Sequence, residues 1–184
     1  MSKPELKKED YILYILDHLE PGKSDFWCLN KIAFLVEFAY FYFNEKPLSD
    51  AKYAAIDHGP VIDKYKETFT AMEKKGLIKT DGYRIRLVGT ESVRVSEDLA
   101  DFMNPLIQKY SQLTQGELKA LTHATDSYMI TTNNEKFMGN IIDKNLARLE
   151  TFFEEDIAQN AVEQERDEID LPRVDFSKLK KYEL

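Results

Sequence analysis

The chain has 184 residues and a formal net charge of −8, a length that fits one domain with an extension. Hydrophobic residues at 43% and charged ones at 32% are ordinary for a soluble globular protein. The acidic balance works against broad phosphate binding, because non-specific nucleic-acid affinity depends on Lys and Arg displacing counterions, and the single cysteine, Cys28, excludes an internal disulfide or a thiol-rich metal site.

The N-terminal stretch MSKPELKKEDY carries no apolar signal core and no cleavage pattern, which predicts a cytoplasmic protein. Tyr11, Ile12, Ile15, Leu16 and Leu19 share one face of a first helix, which Glu20-Pro21-Gly22 stops. Ser24 or Asp25 is placed to cap the next helix. From Leu29 to Phe43 the chain is apolar almost all round, with only Asn30, Lys31 and Glu37 interrupting. A helix apolar on every side is buried on every side, and the run is shorter than the about 20 residues a membrane span needs. It reads as the central helix of a soluble core, with Cys28 a small buried hydrophobe. Glu37 then lies on an exposed stripe or pairs with a buried Lys or Arg, since an unpaired buried carboxylate is costly.

After a loop containing Pro47, Ala51 to Asp57 fits either a brief helix or an extended piece. His58-Gly59-Pro60-Val61 reads as a tight break opening a new helix: Gly59 permits the sharp turn, and Pro60 suits a first helical turn. That helix carries Val61, Tyr65, Phe69 and Met72, and Gly76 ends it as a left-handed cap. Leu77 to Thr80 and Tyr83 to Leu87 flank Asp81-Gly82, a hairpin signal. Tyr83, Ile85 and Leu87 alternate there with Arg84 and Arg86.

Ser96 caps a helix carrying Leu99, Phe102, Met103, Leu106 and Tyr110, which Pro105 is expected to kink or divide. Thr114-Gln115-Gly116-Glu117 is a capping box that opens a short helix through Leu118 and Leu121. A polar loop is expected from Ala124 to Asn133, followed by a long amphipathic helix with Met138, Ile142, Leu146, Leu149, Phe153 and Ile157 at helical spacing. Beyond it come an acidic run from Glu163 to Asp170, the breaker Leu171-Pro172, and lysines at 178, 180 and 181. The expected organisation is a globular domain over 1–160 and an acidic-then-basic extension over 161–184, mobile alone or ordered by a partner.

Two sets of residues carry a family resemblance. Leu29, Lys31, Ile32 and Phe34, then Pro47-Leu48, then Ala55 and Gly59-Pro60-Val61 follow the order Leu-x-Lys-Leu-Leu-Tyr, Pro-Leu, and an aromatic-rich segment ending in Gly-Pro-Val. Leu118, Leu121, Thr122 and His123, then Asp126-Ser127-Tyr128, are similar to a second signature. From Tyr11 to Phe152 the chain resembles the SocA-like antitoxin (Panacea) domain family, with Ile56 and Tyr128 standing where the family usually has tryptophan. The resemblance implies a protein-binding module: an antitoxin that neutralises a cognate toxin encoded beside it by direct contact. Some members act instead as adaptors that deliver the partner to a protease, and a phage context fits the family. The signature loops help define the family's surface. That makes His58, Val61, His123, Asp126, Tyr128, Met129 and Ile130 the expected partner-binding residues, with Leu29, Lys31, Gly59 and Pro60 structural. Tyr128, Met129 and Ile130 are apolar residues in a polar loop, so they either plug the core or anchor an interface.

His18, His58 and His123 sit at helix ends and loop junctions without metal-ligand spacing. There is no Gly-rich phosphate loop, no G-x-S-x-G and no thiol–histidine pairing. The reading is therefore no catalytic residue, no metal, no cofactor and no membrane partner. The alternative is a winged-helix DNA-binding regulator, in which Lys64, Lys66, Lys74, Lys75, Lys79, Arg84 and Arg86 face phosphates. Asp63, Glu67 and Glu73 on the same segment oppose it, so nucleic acid is not the expected partner. The fold class expected is mainly α: a helical bundle around a buried central helix (about 29–43) with one small β-hairpin (about 77–88). Its core comprises Ile32, Leu35, Phe38, Ala39, Tyr42, Val61, Tyr65, Phe69, Leu99, Phe102, Leu118, Leu121, Ile142 and Leu149.

Overall fold

The apolar run becomes helix α2, Phe26–Asn44, once α1 (Lys8–His18) has been laid down before it. The computed structural model describes residues 3–89 and 92–153. Ile157, the boundary at 160 and the extension over 161–184 lie outside the described residues. Asp25 provides the N-cap of α2, its carboxylate accepting from the Cys28 N–H at 2.8 Å. Glu45 ends the helix in a left-handed conformation, its N–H returning to the Phe41 carbonyl. Every residue from Cys28 to Phe41 is buried. With 19 residues, α2 is long and apolar enough by length and composition to cross a membrane. Its surroundings decide the matter, because α1, the strand Gly59–Ile62, the helices Glu97–Ser111 and Gln115–Ala124 and the 3₁₀ helix Lys144–Leu149 pack against it.

The remaining elements are β1 (Tyr53–Ile56), β2 (Gly59–Ile62), α3 (Tyr65–Lys74), β3 (Ile78–Asp81), β4 (Arg84–Leu87), α4 (Glu97–Ser111), α5 (Gln115–Ala124), α6 (Asp126–Thr132), β5 (Ile141–Ile142) and a 3₁₀ helix, Lys144–Leu149. The fold is mainly α with small antiparallel sheets, as expected. It has more β structure than the single hairpin expected from sequence: besides β3–β4 there is a three-stranded sheet in the order β2-β1-β5.

Several local expectations change. Gly59-Pro60-Val61 is strand, not the start of a helix, and α3 begins only at Tyr65. The ladder explains why proline is tolerated. The Asp63 N–H donates to the Lys52 carbonyl at 2.8 Å. Bonded pairs then recur at every second position of an antiparallel ladder, so Pro60, opposite Ala55, falls at a non-bonded position on an edge strand. Ile62, on the same outer edge, donates instead to Asn30 Oδ1 at 2.8 Å. In the hairpin the loop residues are Gly82-Tyr83 rather than Asp81-Gly82, since Asp81 pairs with Arg84. Gly82 alone has positive φ there, which fits a turn with glycine first. α4 runs unbroken through Pro105.

The expected polar loop from Ala124 to Asn133 is mostly α6, and the expected long helix after it is absent. Positive φ at Asn133, Asn134, Glu135 and Gly139 interrupts helical winding. β1 then captures the backbone: Gly139 N–H donates to the Ala55 carbonyl, and Ala55 N–H to that of Asn140. Ile142 is buried in that strand, whereas Leu149 is 58% exposed and leaves the expected core. Tyr42, Val61, Tyr65, Phe102 and Leu121 are half-buried rather than central.

Glu37 takes the second of its two expected settings, a buried pair. It is fully buried, and its carboxylate accepts from the Leu48 N–H (3.0 Å), the Ser49 N–H and hydroxyl, and Lys144 Nζ (2.7 Å). Lys144 also donates to the Ser49 carbonyl at 2.6 Å. The knot ties the 3₁₀ helix and the Pro47 loop to α2. Burial holds the Glu37 carboxyl above the usual range despite these donors.

Candidate functional site

Four elements converge on the first turns of α2. The segment before α2 adds to the outer edge of β4: Ile85 N–H donates to the Ser24 carbonyl, and Phe26 N–H to the Tyr83 carbonyl. That fixes the Gly82-Tyr83 turn beside Phe26. α3 packs against the same place through Phe69, whose ring meets Phe26 edge-on at 4.9 Å. Across from them, the two-residue turn Asp57-His58 joins β1 to β2, and the His58 ring lies 5.0 Å from that of Trp27.

Between these walls lies a groove of about 570 Å³. Phe26, Trp27, Tyr65, Phe69 and Tyr83 line it, with Ile56, His58 and Val61 along the β1–β2 side. Lys31 also lines it, yet the residue is only 2% exposed. Its Nζ donates to the His58 carbonyl at 2.5 Å and stands 4.8 Å from the Trp27 ring centroid, a cation–π distance. Burial, helped by the like charge of Lys119 on α5, lowers the Lys31 pKa to about 8.

The sign of that shift gives a test. A lysine that binds protons less tightly when folded leaves the unfolded chain holding more of them between its two pKa values, so stability rises with pH across that window. Relative to a Lys31→Met variant, the parent should gain stability from about pH 8 to about pH 10, by about 2 kcal/mol. Urea denaturation at several pH values reads this directly. A parent–variant difference that stays flat across the window would remove the perturbed lysine from the account.

The expected partner-binding residues divide into two groups. His58 is exposed and Val61 half-buried, and both line the groove. His123, Asp126 and Tyr128 lie behind it as supports. Tyr128 is fully buried, its hydroxyl donating to the Ile56 carbonyl at 2.8 Å and its ring tilted against that of His123 with centroids 4.6 Å apart. It is not at the surface as an anchor must be. Asp126 and Glu150 form a reciprocal clasp. Glu150 accepts from the Asp126 and Ser127 N–H groups at the start of α6, and Asp126 accepts from the Thr151 N–H and hydroxyl. Met129 is half-buried and Ile130 is 51% exposed, so Ile130 does not plug the core.

The two signature segments do meet. Gly59, at φ +95°, backs onto α5, and a Cβ built there would sit 3.1 Å from Thr122 Oγ1 and 3.3 Å from the His123 ring. Thr122 Oγ1 is itself tied to the Leu118 carbonyl at 2.9 Å, so it has little room to yield. Gly59→Ala should therefore cost about 2 kcal/mol, through a disfavoured backbone and a close contact together. A thermal melt should drop by about 4–8 °C, and an unchanged melt would show that the β1–β2 turn can relax away from α5.

Of the structural residues, Leu29 is a core side chain, Pro60 an edge-strand residue and Gly59 a close-approach glycine. Lys31 is more than structural, since it brings charge to the groove. The sequence reading missed Trp27, Tyr65 and Tyr83 as groove walls. One signal was available: the lone tryptophan precedes the lone lysine of the apolar run by four residues, which puts both on one face of the helix. Cys28 is buried, with burial pushing its thiol up to about 11, a setting for packing rather than attack. No group of three His, Cys, Asp or Glu side chains able to hold a metal occurs among the described residues.

A family model described as antitoxin SocA-like, Panacea domain, matches residues 29–127. That span contains Lys31, His58, Val61, Tyr65 and His123 and stops before Tyr128. No curated protein and no solved structure matches the chain at a significant level.

Proposed function

Because the chain belongs to the antitoxin SocA-like, Panacea domain family, we propose that it is a cytoplasmic protein-binding module that neutralises a cognate toxin, the product of a neighbouring gene, by direct contact. The observation that carries this reading is the aromatic groove at the start of α2. It is concave and apolar, and it is rimmed by the turn residues His58 and Tyr83, with Tyr83 74% exposed. Aromatic side chains in a concave patch are the usual energetic centre of a protein interface. His58 and Val61 belong to the contact face under this proposal, and Ile130 and Met129 offer a second, smaller contact on α6. His123, Asp126 and Tyr128 hold the β1–β2 turn and α6 in place.

Neutralisation by direct block and delivery to a protease both begin with this contact, and the same face serves either outcome. Two observations count against the winged-helix alternative. Lys75 pairs with Glu9 at 2.7 Å. On α3, Glu67 and Glu73 would face the same phosphates as Lys66 and Lys74.

Co-expression tests the proposal. The chain should restore growth to cells expressing the toxic product of the adjacent reading frame. Val61→Glu should abolish that rescue while its melting temperature stays within a few degrees of the parent, since Val61 is only half-buried. Full rescue by a folded Val61→Glu variant would remove the groove from the contact face, and the lack of any toxic neighbour would remove the antitoxin reading itself.

A further inference from the structure

The groove contains a charge that has no ion-pair partner among the described residues: no carboxylate there lies within ion-pair distance of Lys31. The acidic groups nearby are committed elsewhere. Asp25 caps α2 through Cys28 N–H and takes a further bond from Gln115. Glu73, on the opposite wall, accepts from the Thr80 N–H and hydroxyl. An ammonium has three donors, and among the described residues only one of them, toward the His58 carbonyl, meets an acceptor. Lys66 also lines the groove, and Lys119 on α5 is close enough to act on Lys31. A buried cation without a counter-ion is unfavourable by itself, and an anion entering the groove would remove that cost.

We propose that Lys31 recognises the carboxylate of an acidic side chain carried by the partner protein, while the Phe26, Trp27, Tyr65, Phe69 and Tyr83 walls take an aromatic or large aliphatic residue beside it. This rests on the partner-binding reading above and names what the partner must present. The groove opens between two exposed turns, Asp57-His58 and Gly82-Tyr83, which leaves room for a chain to lie across it. The net charge of −8 discourages free anions from the surrounding solution. An acidic residue on a partner is instead brought in by the partner's other contacts.

Trp27 is the chain's only tryptophan, so its fluorescence reports on this groove alone. The full chain is titrated with acetyl-Phe-Asp-Phe-amide, with the isosteric acetyl-Phe-Asn-Phe-amide and with phenylacetate. The Asp peptide should give a saturable change at least roughly tenfold tighter than the Asn peptide. Lys31→Gln keeps a donor for the His58 carbonyl without the charge and should bind the two peptides alike. Lys31→Met, which lacks the donor too, should behave the same way. Equal affinities in the parent, or no saturable change with either peptide up to about 10 mM, would overturn the proposal. Phenylacetate binding as tightly as the Asp peptide would overturn its assignment to a partner chain and leave a small-molecule site. Growth rescue in cells separates the two readings. Rescue without peptide discrimination defeats the groove proposal and keeps the antitoxin reading; discrimination without rescue does the reverse.

Discussion

Replacing Glu37 by alanine should cost the fold about 3–5 kcal/mol, the range for breaking a buried ion pair by removing one partner. The substitution strands four donors at once. Lys144 loses its counter-charge at a site where its side chain is only 16% exposed, and the Leu48 N–H, the Ser49 N–H and the Ser49 hydroxyl lose their acceptor. Whole domains hold only about 5–15 kcal/mol, and circular-dichroism melts of the variant should fall by about 6–20 °C. Pairing Glu37→Met with Lys144→Met should recover much of the loss, because an apolar pair of similar volume avoids the desolvation of both ions. A single variant that melts like the parent would mean that Lys144 finds another acceptor or reaches water.

The pH dependence of the same group separates two pictures of the knot. A pair dominated by attraction lowers the carboxyl pKa, and its stability is lost on acidification. Here burial outweighs the donors, and the folded pKa is raised. The Glu37 contribution is then fully present below the unfolded carboxylate pKa and is lost as pH rises through the folded one. Against a Glu37→Gln variant, the parent's advantage should widen as pH falls through that range.

The sequence showed clearly what depends on composition and local pattern. α2 could be read from its apolar circumference, α5 from its capping box, and the end of α3 from Gly76. It concealed what depends on pairing between distant segments. Nothing local in Gly139 to Ile142 announces a strand; the capture of those residues by β1 makes them one, and helical spacing of Ile142, Leu146 and Leu149 misled because that capture overrides it. Pro60 misled in the same way, since its suitability for a helix start and for an edge strand rests on the same missing N–H. The groove was half legible. His58 and Val61 stand in a recognisable signature, but its far wall comes from α3 and the β3–β4 turn, and the hairpin's place there is fixed by backbone bonds from Ile85 to the Ser24 carbonyl and from Phe26 to the Tyr83 carbonyl that no periodicity reveals.

Tyr128 is where the expectation from sequence and the structure differ most, and the difference is measurable. A surface anchor trimmed to alanine leaves stability alone and weakens binding. A buried aromatic trimmed to alanine costs about 3–5 kcal/mol, and Tyr128 is fully buried against His123 with its hydroxyl on the Ile56 carbonyl. Burial also lifts its phenol to about 12, so the hydroxyl remains a donor throughout the neutral range. Tyr128→Ala should therefore lower the melting temperature by about 6–20 °C. Tyr128→Phe, which keeps the ring and leaves the Ile56 carbonyl without its donor, should lose about 1 kcal/mol. Because Ile56 leads directly into the Asp57-His58 turn, loss of the ring loosens one wall of the groove. Growth rescue by Tyr128→Ala should then fail in step with unfolding, and return at a lower temperature where the variant is folded. A Tyr128→Ala protein that melts like the parent yet fails to rescue at any temperature would place Tyr128 back at the contact face and move the binding surface from the α2 groove to α6.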